Sequence, residues 1–331
     1  MKRRLFSTML CALALLLLMG AGVEPSSSVA YLIEEESTNT QTEEVLEAGI
    51  ETGTEQSEET VPQKKAMHSS EESEVEIVIE EAPAVDPTFL IDGQPVQEAT
   101  GRTLINGVTY VAIAPTALEL DSTAQVNWDG GSRTVTVQTA NLHLTAQVGQ
   151  LFVQANGRFL YAEDGVQMYG DRVMVPLRIL TEAFDARLNW DSASNVIRVQ
   201  RGSGALVSGD QYYNQDDLFW LSRVIYAESG NQSLKGQMAV GNVIMNRVHS
   251  HLFPNGIHEV IAQRNQFTNY RGGKLANRTP NESSVLAAKL VLDGGVVEES
   301  EGALYFDSLV HSWAARSKTY VCTIGGHKFY R

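Results

Sequence analysis

Glu228 is the carboxylate whose sequence surroundings best suit acid–base chemistry. It closes a run with apolar residues at helical spacing, Leu218, Leu221, Val224 and Ile225, and directly follows Tyr226 and Ala227. A carboxylate at a helix C-terminus faces the negative end of the dipole. Aromatic and aliphatic neighbours desolvate it. Both effects raise its pKa, as a general acid working near neutral pH requires. An exposed glutamate at a helix end would show the same spacing, and structural ion pairs perturb carboxylates too, so spacing alone leaves both readings open. Cys322 lies in the alternating stretch Tyr320–Ile324, which reads as a small buried hydrophobe without an evident activating neighbour. His249 and His251 flank Ser250 near a helix end. A zinc site needs three ligands from separate elements, and nothing else is spaced to complete one, so these read as solvated histidines. No metal and no cofactor are expected. Asn246 and Arg247 either bind substrate or anchor the loop at Phe253-Pro254.

The elements that must position these groups follow from caps and periodicity. Asn214 with Asp217 predicts a helix start, and the helix ends near Gly230. A second helix starts near Ser233 and turns Met238, Ala239, Val243, Ile244 and Val248 inward; Gly236, Ala239 and Gly241 leave room for close packing on the first. Thr279-Pro280-Asn281-Glu282 predicts a capping box with proline at the first helical position, and the helix runs through Leu292 to stop at Gly294. Strands are predicted at Ala303–Phe306, Thr319–Ile324 and His327–Tyr330. Residues 217–331 are therefore expected to form a mostly helical domain with a small antiparallel sheet.

Residues 88–200 carry an internal repeat at an offset of 62 residues. Tyr110–Ile113, a helix through Pro115 to Leu120, Val126-Asn127-Trp128-Asp129 and Thr134–Val137 reappear further on. The second copy is Arg172–Val175, a helix after Pro176 to Phe184, Leu188-Asn189-Trp190-Asp191 and Val196–Val199. Thr88–Val96 adds a hairpin turning at Asp92-Gly93. This unit resembles the copper amine oxidase N-terminal domain, which implies a stalk or wall-binding module. With one histidine, His143, and no cysteine, the stretch cannot assemble a transition-metal site. Residues 201–216, rich in glycine and serine, read as a linker, so residues 210–331 are expected to fold by themselves.

Charge is spread unevenly over the 331 residues. Residues 31–87 hold 17 acids against two lysines, and the rest of the chain after them is nearly neutral with 22 acids and 20 bases. The acidic stretch, poor in aromatics, reads as a disordered spacer. An overall charge of −15 argues against nucleic acid as a partner. Lys2, Arg3 and Arg4, the apolar run Leu10–Met19 and Ser28-Val29-Ala30 read as a signal peptide over residues 1–30. The apolar run is shorter than the roughly 20 residues that span a bilayer, and no other stretch is long enough. Export with cleavage near Ala30, leaving no membrane-spanning segment, is expected. Cys11 and Cys322 are too few for a disulfide scaffold.

The ordered blocks Tyr226-Ala227-Glu228, Gly236–Val248, Phe253-Pro254, Gln266-Phe267, Thr279–Glu282, Ala303–Phe306 and Ile324–Tyr330 resemble the SleB-type cell wall hydrolases. The resemblance implies a lysozyme/transglycosylase-like α+β domain at 217–331, in a multidomain chain. It implies cleavage of the MurNAc–GlcNAc bond of peptidoglycan glycan strands, as a lytic transglycosylase with one catalytic carboxylate, onto which Glu228 falls. It suggests Tyr226, Gln237, Asn246, Gln266, Tyr305 and His327 as substrate-binding residues, and the 88–200 domain as a contact for other wall components. Where many members have a second glutamate this chain has Gln232, which cannot serve as the second of two carboxylates placed about 5 to 10 Å apart. A muramidase, an amidase and a non-catalytic wall-binding protein are the other readings.

Overall fold

The computed structural model describes residues 87–96, 101–264, 266–309 and 311–331. The signal segment and the acidic stretch, expected over residues 1–87, lie essentially outside the described residues.

The duplicated pattern folds as two copies of one unit. After the hairpin β1 (Thr88–Ile91) and β2 (Gln94–Pro95) comes the first copy: β3 (Arg102–Ile105), β4 (Val108–Ala112), α1 (Ile113–Leu120), β5 (Gln125–Asp129) and β6 (Thr134–Gln138). Three strands intervene, β7 (His143–Gln147), β8 (Phe152–Ala155) and β9 (Arg158–Tyr161). The second copy is β10 (Gln167–Tyr169), β11 (Arg172–Pro176), α2 (Leu177–Ala183), β12 (Arg187–Asp191) and β13 (Val196–Gln200). The copies join through an antiparallel β4–β11 pairing in a sheet ordered β10-β11-β4-β3. The two hairpins end up in different sheets. β5–β6 leads a five-stranded meander out to β9, and β12–β13 is extended by β1, parallel to β13, and β2. Both copies feed one core, which contains Val111, Ile113, Val137, Leu144, Val175, Leu180 and Ile197.

Residues 201–216, read as a linker, are mostly exposed but are tied to the repeat domain at several points. The Arg201 guanidinium pairs with Asp92 and donates to the carbonyl oxygens of Leu120 and Glu119. Leu206 is buried and its amide donates to Ala183, while Gly209 N donates to Asn156 O. The backbone hydrogen bonds that a solvated linker would give to water are made to the repeat domain instead.

The remainder is helical with a small sheet: α3 (Gly209–Tyr212), α4 (Gln215–Ser229), α5 (Leu234–Val248), α6 (Ile257–Ala262), α7 (Glu282–Leu292), β14 (Tyr305–Asp307), α8 (Trp313–Ser317), β15 (Tyr320–Ile324) and β16 (His327–Tyr330). The Asn214 side chain accepts from Asp216 N and Asp217 N, and Ser233 accepts from Gly236 N, as their sequence positions predict. The cap of α7 is shifted. Asn281, not Thr279, accepts from Ser284 N, and Pro280 stays outside the helix. Gly241 is a close-approach point, since a Cβ there would meet Ile225 of α4 at 3.0 Å and Val291 of α7 at 3.1 Å. The sheet is ordered β14-β16-β15 and is antiparallel throughout.

The two halves share a built interface. Phe152, Phe159 and Tyr161 of the β8–β9 hairpin pack against the helical core. Asp293, just past α7, has a fully buried side chain. It accepts from Arg158 Nε at 2.6 Å, from Phe159 N at 3.1 Å and from the Tyr213 hydroxyl. Burial, reinforced by that bond, pushes the Tyr213 phenol far above its ordinary range. Lys235, in the first turn of α5, bridges Glu163 of the repeat half at 2.6 Å and Glu299 at 2.7 Å.

Candidate active site

Glu228 lies half-buried in the last turn of α4, between Tyr226, also half-buried, and the buried Ser229. The Tyr226 ring covers Gly230, where a Cβ would stand 2.6 Å from its Cδ2. The short connection from Gly230 to Ser233 then starts α5, so Glu228 belongs to the end of the domain formed by the N-terminal turn of α5. The turn between β15 and β16 reaches the same end. Gln232 Oε1 accepts from Gly326 N at 2.8 Å, and Gln232 Nε2 donates to Asn231 at 3.2 Å. Gln232 thus pins the connection after α4 to the hairpin. Asn281 Nδ2 adds a bond to Gly230 O at 3.1 Å.

The six residues suggested as substrate contacts divide. Gln237 is buried and spent internally, its amide donating to Gln232 O and Ser283 Oγ and its carbonyl accepting from Ser284 Oγ. It fixes the α5–α7 packing near Glu228 and offers no polar group to a ligand. His327, next to the Gly325-Gly326 turn, is buried against Phe306 and Phe329. Its Nδ1 has no hydrogen-bond partner among the described residues, and burial holds its pKa below the ordinary histidine value. Asn246, Gln266 and Tyr305 gather at the other end of α5, around Arg247. Ten residues of helix separate Gln237 from Arg247, about 15 Å. Asn246 Nδ2 donates to Ala303 O at 2.9 Å, Arg247 Nε to Leu304 O at 2.7 Å, and Arg247 Nη1 to Gln266 at 3.0 Å. The buried guanidinium stands 5.1 to 5.5 Å from the rings of Phe253, Phe267 and Tyr305, and burial lowers its pKa to about 10, which leaves it charged. The hydrogen bonds of Asn246 and Arg247 go to Ala303, Leu304 and Gln266 rather than to the loop at Phe253-Pro254, which Arg247 meets only through the Phe253 ring, so the two residues tie α5 to the segment leading into β14.

The other candidates do not form chemistry. Cys322 is half-buried, and burial followed by the nearby Glu299 raises its pKa, which disfavours the thiolate. His249 and His251 are exposed just past α5. Among the described residues no group of three His, Cys, Asp or Glu is placed to hold a metal ion, and no helix is long and apolar enough to cross a membrane. Sequence reasoning gave Gln232 no structural role; the signal was the Gly325-Gly326 turn, which leaves a backbone N–H to be satisfied.

Residues 231–330 match the family described as Cell Wall Hydrolase, and residues 90–199 match the copper amine oxidase N-terminal domain. The chain carries a cell wall hydrolase domain. Glu228 stands three residues before the matched stretch. The spore cortex-lytic enzyme of Bacillus cereus is 32% identical over 120 residues, which are 35% of this chain and 45% of that protein. The spore cortex-lytic enzyme of Oceanobacillus iheyensis is 28% identical over 148 residues, 44% of this chain and 52% of that protein. This chain thus covers about half the length of these curated relatives. The solved catalytic domain of the germination-specific lytic transglycosylase SleB from Bacillus anthracis is 32% identical, with 36% of this chain and 97% of that one covered and a TM-score of 0.33. The cell wall hydrolase domain is preceded by the duplicated domain, and each contributes side chains to their shared interface.

Proposed function

We propose that this chain is an exported peptidoglycan-cleaving enzyme that cuts the MurNAc–GlcNAc bond as a lytic transglycosylase, with Glu228 as its single acid–base group. The observation that carries the reading is the pairing of the cell wall hydrolase match with the local geometry. Glu228 is half-buried at the end of α4, and Gln232, where a second acid would stand, is committed to Gly326 N. Glu228 in its acid form gives its proton to the glycosidic oxygen as the bond to C1 breaks. The resulting carboxylate takes the proton of the same sugar's 6-hydroxyl as that oxygen bonds to C1 and closes a 1,6-anhydro ring. The proton is returned and no water is consumed, so a second carboxylate to activate water is not needed. The 90–199 domain holds the enzyme on the wall.

Mass spectrometry of purified peptidoglycan digested by the full chain tests this. Anhydro-muramyl ends are expected. Reducing muramyl ends would make the enzyme a muramidase, released stem peptides would make it an amidase, and undigested wall would reduce the chain to a binding protein.

A further inference from the structure

A groove of about 780 Å³ runs across the repeat domain between the first copy and the β10–β11 hairpin of the second. Ile113, Pro115, Val126, Trp128, Met168 and Val173 line it, and Asp171 and Arg172 stand at its edge as an exposed ion pair at 3.9 Å. Trp128 is the residue that packing does not explain. The motif Asn-Trp-Asp occurs in both copies, and its aspartates are accounted for. Asp129 accepts from Gly131 N and Ser132 Oγ, and Asp191 from the amides of Ala193 and Ser194 and from Ser194 Oγ, closing the hairpin turns. The tryptophans are not accounted for, being 44% exposed at Trp128 and 51% exposed at Trp190. Both lie on edge strands, β5 and β12. The β3–β4 hairpin, the counterpart of β10–β11, likewise leaves Leu104 and Val108 exposed. Large apolar side chains left in water twice, at equivalent positions, mark a contact surface.

The chemistry narrows the ligand. An apolar floor with an indole face and a polar rim suits a ring with one apolar face and hydroxyls at its edge. Residues 88–200 contain eleven acids, seven arginines and no lysine, so an anionic polymer is disfavoured. Two exposed tryptophans at equivalent positions suit a ligand that itself repeats. We propose that the Trp128 groove, with the exposed Trp190 at the equivalent position of the second copy, binds uncharged sugar rings of a glycan strand. The proposal rests on the reading of the chain as acting on peptidoglycan.

The test uses the full chain carrying Glu228→Gln, so that the ligand survives, with two probes: soluble β-1,4-linked N-acetylglucosamine oligomers followed by calorimetry, and retention on purified peptidoglycan. Trp128→Ala should weaken both by about tenfold, the size of one lost aromatic anchor. Trp190→Ala should do likewise, the double variant should lose more, and Trp128→Tyr should keep most of the affinity, which separates a lost stacking face from a misfolded domain. In the chain with native Glu228, Trp128→Ala should leave cleavage of short soluble glycan unchanged. Absence of binding to either probe, or binding by Trp128→Ala and Trp190→Ala as tight as that of the parent chain, overturns the proposal. So does a self-association abolished by Trp128→Ala, which would give the groove to a second copy of the chain. Binding that persists while the native chain fails to cut peptidoglycan would sink the enzymatic reading and leave the sugar site standing.

Discussion

Replacing Asp293 by alanine tests whether the hydrolase domain stands alone or is built onto the repeat domain. The wild-type carboxylate is out of contact with solvent and receives three hydrogen bonds, two of them from the β9 residues Arg158 and Phe159. Its loss leaves the Phe159 N–H with only the Tyr213 oxygen at 3.3 Å, and strands the Tyr213 hydroxyl proton and a guanidinium whose side chain is only 9% exposed. What remains for Arg158 is Glu182 at 3.2 Å and the face of Tyr212 at 3.5 Å. Breaking a buried pair from one side costs about 3–5 kcal/mol. For a cooperative unit of this size that corresponds to a fall in Tm of roughly 10–15 °C. Glu182→Ala removes the half-exposed partner of the same arginine and should cost under about 1 kcal/mol. Scanning calorimetry of the full chain should show one transition for the wild type. The Arg158→Ala/Asp293→Ala double variant should be less destabilised than the sum of the singles by at least about 1 kcal/mol. A shift for Asp293→Ala no larger than for Glu182→Ala, or strict additivity, would mean that the two halves fold independently and that the contact is incidental.

Glu228→Gln should lower peptidoglycan cleavage by on the order of 10²-fold or more with Tm unchanged or slightly raised, whereas Gln232→Glu, which can still accept from Gly326 N, should change the rate only modestly; assays of both on purified wall decide between them. His327 is held below its ordinary 6.5 by burial, so the unfolded chain binds a proton that the folded chain refuses. Stability should be level above pH 6.5 and fall as pH drops from there toward the lower folded value, and His327→Phe should flatten that part of a urea-midpoint profile. Gly241→Val should cost about 1–3 kcal/mol in denaturant unfolding by forcing Ile225 and Val291 apart. N-terminal sequencing of exported protein should begin close to Tyr31.

What the sequence discloses here is what local chemistry writes. The two Pro-led helices and the Asn-Trp-Asp turns repeat within each unit, so strand, helix and hairpin order were legible before any coordinates. Asn214 and Ser233 each place a helix start because a cap acts over three residues. The candidate site was legible only where it is local: the place of Glu228 at the end of a helix shows itself, but the destination of each long polar side chain does not. Gln237 spends its amide on Ser283 and Ser284, and Asn246 spends its own on Ala303. The Arg158–Asp293 contact spans 135 residues and has no periodicity to announce it. The ties that hold the segment after Arg201 are hidden for the same reason. Its glycines and serines suggested a free chain, yet it is held by Asp92 and Asp185, more than a hundred residues and about twenty residues upstream.

The parallel pairing of β1 with β13 bears on how the protein takes load. Thr88 through Ile91 lie beside Val196 through Val199, with closing bonds from Thr88 N to Asn195 O at 3.0 Å and from Asp92 N to Val199 O at 2.9 Å. Because the strands run the same way, a pull on the chain before Thr88 and an opposite pull on the chain after Gln200 slide one strand along the other. Every bond of the ladder is then stretched together, instead of opening one at a time as in a peeled hairpin. The clamp from Arg201 to Asp92 sits across the same seam and must fail in the same event. Pulled from these two points, the chain should therefore resist as a latch and yield abruptly at a threshold force in a single-molecule pulling trace.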